Sequence, residues 1–173
     1  MFAFKYLIAR ILAKFLGDEI YSRLFRKHGM SVGENCHIYS NVWTSESYLI
    51  SIGDNVTISN DVQFITHDNS VCKVYPDKTD VFGEIFIGNN CFIGAKSIIM
   101  YGVHIPDNTI IAAGSVVAKS IQVEGQIWGG NPARIISDWD GFGKKVLPYT
   151  LNIDGLKDNE KRRLIKESAK IVR

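Results

Sequence analysis

From Ile87 onward the chain places a branched aliphatic residue at every sixth position: Ile87, Ile93, Ile99, Ile105, Ile111, Val117 and Val123. Amphipathic helices repeat near 3.6 residues and half-buried strands at 2, so a period of six belongs to neither. A fixed short period is the mark of a repeat architecture. It fits a chain wound round a triangular prism, about six residues to a side, with one aliphatic side chain turned inward from each side. The fourth residue after each inward aliphatic is small or β-branched (Cys91, Ser97, Val103, Thr109, Ser115), which suits a narrow interior.

A second signal fixes the register. Val32-Gly33-Glu34-Asn35, Ile52-Gly53-Asp54-Asn55, Ile87-Gly88-Asn89-Asn90 and Ile105-Pro106-Asp107-Asn108 read as the same corner on successive coils. Gly and Asn tolerate positive φ and Pro presets a negative one, so all three suit tight turns. The last two tetrads lie 18 residues apart, three sides of six; the first two lie 20 apart and the middle two 35 apart. This predicts about four coils over 32–122, the start of another at Val123, a small excursion near 43–51 and a large one near 68–84.

Outside the repeat the pattern turns helical. Residues 2–27 carry Phe4, Leu7, Ile8, Ile11, Leu12, Phe15, Leu16, Ile20 and Leu24 near helical spacing. Lys5, Arg10, Lys14, Arg23, Arg26 and Lys27 share the remaining surface, and the charges at Arg10 and Lys14 break the apolar run that a signal peptide or membrane span needs. Two readings stand side by side, a cap on the open end of the prism and a basic helix resting on an anionic membrane. Residues 155–172 read as a second, highly charged helix. The organisation is an N-terminal amphipathic helix over 1–30, the repeat over 31–136 with its loop at 68–84, and a tail and helix over 137–173.

Candidate chemistry begins at Phe64-Ile65-Thr66-His67-Asp68, where the repeat breaks into the large excursion. Functional groups collect on loops held by a rigid scaffold. An imidazole titrates near neutrality and can take a proton from an attacking hydroxyl or amine. Position alone leaves open whether His67 does so or only hydrogen-bonds the loop base. After the last coil comes Gly129-Gly130-Asn131-Pro132-Ala133-Arg134-Ile135-Ile136.

Together, the six-residue repeat, the loop-base histidine and this closing motif resemble the hexapeptide-repeat acyltransferases, in particular those that O-acetylate sugars of capsules and O-antigens. The resemblance covers roughly 30–136. It implies an all-β core, a left-handed parallel β-helix of about four to five coils with flanking helices; the hand comes from the resemblance alone, since the general rule favours right-handed crossovers. It also implies an acetyl-CoA-dependent acetyltransferase with His67 as catalytic general base, without metal, working as a homotrimer with sites between subunits. By motif matching, Ala95 and Ala113 contact the pantetheine arm, Ala118 and Lys119 the nucleotide end, and Arg134 offers its planar fork of donors to phosphate. A polar group should orient the acceptor or His67, with Asn41, Glu46 and Asp68 as candidates. The implied acceptor is a sugar hydroxyl of a surface polysaccharide or its precursor, with a nucleotide-linked amino sugar as the alternative and a non-catalytic scaffold as a reading of another class. Phe92 stands where a Trp is common in the family.

Composition adds limits. With 173 residues one domain is expected, and a net charge of +2 gives no broad footprint for nucleic acid. Three cysteines without a framework spacing read as reduced thiols of a cytoplasmic protein, and the basic helix adds the inner membrane face as an alternative station. Cys36 and Cys91 fall on inward positions. Cys72, in the large loop, raises a covalent acyl-enzyme as a lesser alternative.

Overall fold

A computed structural model describes residues 7–8, 19–168 and 170. Its centre is a three-faced prism of short parallel strands. The first face stacks Ser31–Val32, Ile50–Ile52, Ile85–Ile87 and His104–Ile105. The second stacks His37–Ile38, Thr57–Ile58, Phe92–Ile93, Ile110–Ile111 and Gln126–Gly130. The third stacks Gln63–Phe64, Ile98–Ile99 and Val116–Val117. Register keeps apolar over apolar: Ile38, Ile58, Ile93 and Ile111 form one inward column, and Phe64, Ile99 and Val117 another. From Ile87 to Val117 every sixth residue is fully buried, and Cys91, Ser97, Val103, Thr109 and Ser115 are buried between them.

The repeat departs from the expected spacing at its end. Val123 is 57% exposed, and Ile121 takes the inward place instead at 3%. The cause is local. Ser120 Oγ accepts from the His104 amide at 3.0 Å and donates to the Gly102 carbonyl at 3.2 Å, and the Ile121 amide bonds to the His104 carbonyl at 2.9 Å. These bonds draw Ile121 over the first face four residues after Val117. The step of six does not resume on the second face: Ile127 is buried beside Ile110, and Trp128 stands beside the inward Ile111.

The tetrads form the corner between the first and second faces. Asn35, Asn55, Asn90 and Asn108 all sit at φ between 54° and 56°, the left-handed region that asparagine enters at low cost. Their amides chain up the prism: Asn55 Nδ2 donates to Asn90 Oδ1, and Asn90 Nδ2 to Asn108 Oδ1, each at 2.8 Å. The preceding glycines answer a different need, because adjacent coils approach too closely for a side chain. A Cβ on Gly88 would stand 2.7 Å from the Asp107 amide nitrogen and 2.9 Å from the Pro106 carbonyl carbon. Gly88→Ala therefore forces backbone apart, and is expected to lower unfolding free energy by about 1–3 kcal/mol, read as an earlier urea midpoint at unchanged slope.

Helix α1 (Glu19–Lys27) closes the lower end. It buries Tyr21 and Phe25, and Arg26 donates to the Val32 and Gly33 carbonyls at 2.7 and 2.5 Å. The described part of the N-terminal segment is thus a cap; the basic positions Lys5, Arg10 and Lys14 lie outside the described residues. At the upper end Ala133–Asp138 folds back antiparallel on Gln126–Gly130. Helix α2 (Trp139–Val146) follows, where the sequence pattern predicts only tail. Two glycines hide it, and Asp138 starts it, accepting from the Gly141 amide at 2.7 Å. Helix α3 (Asp158–Glu167) is shorter than the expected 155–172, beginning where Glu160 Oε2 accepts from the Lys157 amide at 3.0 Å. No helix among the described residues is long and apolar enough to cross a membrane.

Candidate active site

The third face ends at Ile65-Thr66, and the chain leaves the prism at His67. The large excursion is closed at its base by a two-residue antiparallel pair, His67 opposite Phe82 and Asp68 opposite Val81. The Gly83 amide donates to the Thr66 carbonyl at 3.0 Å. His67 is thereby fixed at a loop root, with the Phe82 ring 5.8 Å from its own.

The small excursion meets it from the coil below. Ser47 Oγ bridges the Thr44 amide and carbonyl at 3.2 and 2.8 Å, folding 44–47 into a tight turn. That turn aims Glu46 upward. Glu46 Oε2 accepts from Thr66 Oγ1 at 2.9 Å and faces His67 Nδ1 at 2.9 Å. The Glu46 side chain is 14% exposed, that of His67 44%. Burial alone would raise the Glu46 pKa, but the hydrogen bonds from Thr66 and His67 outweigh it and hold the carboxyl below its ordinary value of 4.5.

Proton positions follow from this. An ionised carboxylate only accepts hydrogen bonds. Nδ1 of His67 must then carry hydrogen toward Glu46, which leaves the Nε2 lone pair free to take a proton. As the ring becomes cationic, Glu46 stabilises it. A fixed tautomer with an open Nε2 is what a general base requires.

Asn41 and Asp68 are placed elsewhere. Asn41 Oδ1 accepts from the Trp43 amide at 3.4 Å. It lines a separate cleft of about 300 Å³ with Asn60, Asp61 and Gln63. Asp68 Oδ1 accepts from the Ser70 amide at 2.8 Å, starting the turn Ser70–Lys73, and the Ser70 hydrogen bonds hold its carboxyl below the usual range. Thr66 and Phe82 went unnoticed in the sequence. Thr66 stood in the quoted motif as a hydroxyl beside the histidine, whereas Phe82 gave no signal, because only the loop closure brings it near.

Ala118, Lys119 and Arg134 come together in one groove of about 400 Å³ at the upper end, with Trp128 and Pro132 on its walls. Both cations are exposed there, and the Arg134 guanidinium rests on the Ala133 carbonyl at 2.8 Å. A groove with an apolar wall and two cations fits a phosphate-bearing thioester carrier. Ala95 and Ala113 lie outside it, on the corner between second and third faces, stacked one coil apart through the Gly114 amide bond to the Ala95 carbonyl at 2.8 Å.

Of the other histidines, His28 Nδ1 lies 2.9 Å from the Leu24 carbonyl, His37 stacks on Tyr39, and His104 meets the Phe86 ring at a tilt of 49°. Cys36 and Cys91 are buried, their thiols donating to the Gly53 and Pro106 carbonyls at 3.1 and 3.2 Å. Burial pushes Cys91 up to about 11, so it stays a thiol at neutral pH. Cys72 is half-buried on the turn Ser70–Lys73.

Comparison with known proteins agrees with this architecture. The family described as the hexapeptide repeat of succinyl-transferase matches residues 84–119. Protein CapG of Staphylococcus aureus is 40% identical over 159 residues, spanning 88% of this chain and 91% of its own. Galactoside O-acetyltransferase of Escherichia coli K12 is 34% identical over 115 residues, 62% of this chain and 56% of its own. Among solved structures, a maltose O-acetyltransferase from Clostridium difficile 630 superposes with a TM-score of 0.58 at 27% identity, covering 79% of this chain and 84% of that one. Fold and relatives define an acyltransferase built on a left-handed parallel β-helix. The chain belongs to the hexapeptide-repeat acetyltransferase family, whose acyl donor is acetyl-CoA.

Proposed function

We propose that the protein transfers the acetyl group of acetyl-CoA to a hydroxyl of a sugar in a surface polysaccharide or its precursor, with His67 as general base. The observation that carries this reading is the contact of His67 Nδ1 with Glu46 Oε2 at 2.9 Å, at the root of the long loop. Acetyl-CoA supplies the acyl group already activated as a thioester. Nε2 of His67 takes the acceptor proton as the acceptor oxygen attacks the thioester carbonyl, Glu46 holds the ring and its developing charge, and the proton then passes to the coenzyme A sulfur as the C–S bond breaks. Lys119 and Arg134 hold the phosphates, with Ala118 giving room beside them, and Ala95 and Ala113 lie along the pantetheine arm. Asn41 and Asp68 belong to the acceptor side, Asn41 through the polar cleft it lines. The sugar acceptor is supported by the galactoside and maltose O-acetyltransferase relatives. The working form is a cytoplasmic homotrimer of prisms of four to five coils.

The test is incubation with acetyl-CoA and a panel of sugars and sugar nucleotides, followed by product mass and mild alkali. A product one acetyl heavier that loses the group in alkali is the expected ester. An alkali-stable product means an amide and a nitrogen acceptor, and release of coenzyme A without any acetylated sugar sinks the reading.

A further inference from the structure

Two bare apolar patches on the chain do not cover each other. One is the large loop, where Val74, Tyr75 and Phe82 are 70%, 58% and 54% exposed. The other is the C-terminal arm, where Leu147 and Tyr149 are 68% and 51% exposed. Helix α3, further along the arm, buries none of its side chains. Isolated helices of ten residues are marginal in water, and most helical stability comes from packing one face. Leu156, Leu164 and Ile165, each between 36% and 39% exposed, are the apolar side chains that α3 and its entry offer for such packing.

Charge says which surfaces meet. Residues 147–167 carry five basic side chains (Lys157, Lys161, Arg162, Arg163, Lys166) against four acidic ones (Asp154, Asp158, Glu160, Glu167), of which Glu160 is occupied in starting the helix; all five basic side chains fall in 157–166. Residues 68–84 carry four acidic side chains (Asp68, Asp77, Asp80, Glu84) against Lys73 and Lys78. Arm on arm or loop on loop sets like charge against like, whereas arm on loop sets opposite charges together. An anionic bilayer would attract the arm and repel the loop. A contact between two different surfaces of one chain is heterologous and closes into a ring when the rotation permits.

We infer that the C-terminal arm of one copy, residues 147–167, docks on the 68–84 loop of a second copy. Since that loop is rooted at His67, the arm then walls the proton-transfer site of its neighbour. This last consequence rests on the function proposed above, but the contact itself does not.

Cys72 provides the probe, because Cys36 and Cys91 are buried at 3% exposure each. Full-length chains carrying Ile165→Cys and Cys72→Ser are co-expressed with chains that keep Cys72, then treated with a short bis-maleimide. The expected result is an inter-chain link between position 165 of one chain and Cys72 of another, located by peptide mass. Arg162→Glu with Lys166→Glu should abolish it, and Asp77→Lys with Asp80→Lys on the partner subunit should restore it. Failure to link, although both thiols react with a monofunctional maleimide, overturns the inference. So does a link confined within single chains of Ile165→Cys protein that retains Cys72, and so does capture of the arm by anionic vesicles with no inter-chain link. None of these readouts needs turnover, so a wrong acceptor leaves the result intact.

Discussion

His67→Ala is expected to leave the prism folded and to lower acetyl transfer by about 10²–10⁴-fold, the usual worth of a positioned general base. The fold survives because His67 lies outside the inward columns, at the loop root, with a side chain 44% exposed. Binding of coenzyme A should hold, since Ala118, Lys119 and Arg134 share a groove to which His67 does not contribute. Circular dichroism, calorimetric titration with coenzyme A and steady-state rates read the three parts separately. Near-normal turnover in a folded variant would remove His67 from the reaction.

Glu46→Gln is expected to cost about 10²–10⁴-fold as well, by a different route. The variant keeps the shape of the side chain and loses its charge. If the new amide turns its nitrogen to Nδ1, the ring must accept there, and Nε2 carries the hydrogen it should be free to receive. If it turns its oxygen, the tautomer is kept and the support for the cationic ring is lost. Turnover should fall with little change in coenzyme A affinity. Stability gives a second readout. The folded-state pKa of Glu46 lies below its ordinary 4.5, so its ionised form adds stability that is complete above that value and disappears as pH falls through the lower folded one. Urea unfolding at stepped pH should therefore show the stability gap between wild type and Glu46→Gln narrowing across this acid range. A gap independent of pH would mean that Thr66 and His67 do not stabilise the ionised carboxylate.

The interior of the prism is written plainly in the chain, because each side turns one large apolar residue inward and each coil repeats the demand. The asparagine corners are equally plain, since a residue at φ near 55° that must also pass an amide bond to the next coil has few alternatives. The slip at Ile121 is not legible in the same way. Val123 satisfies the period and Ile121 does not, yet the bonds of one serine hydroxyl bring Ile121 inward. Helix α2 depends similarly on the Asp138 cap. At the site, the break in the repeat singles out His67, but no spacing rule ranks Glu46 above Asn41 or Asp68. Its place depends on the two extra residues in the first coil, which set position 46 directly beneath Thr66.

The back-folded strand Ala133–Asp138 decides how the protein behaves as a material. A stack of parallel coils is a template at each end, with a row of open amides and carbonyls that another such stack can extend. Below, the Arg26 guanidinium occupies the Val32 and Gly33 carbonyls. Above, the chain reverses direction on Gln126–Gly130, so the next layer on the second face is an antiparallel strand of its own chain. A prism that ended before this reversal would offer a parallel edge on its second face to another stack; with it, that face is closed by the chain's own last strand.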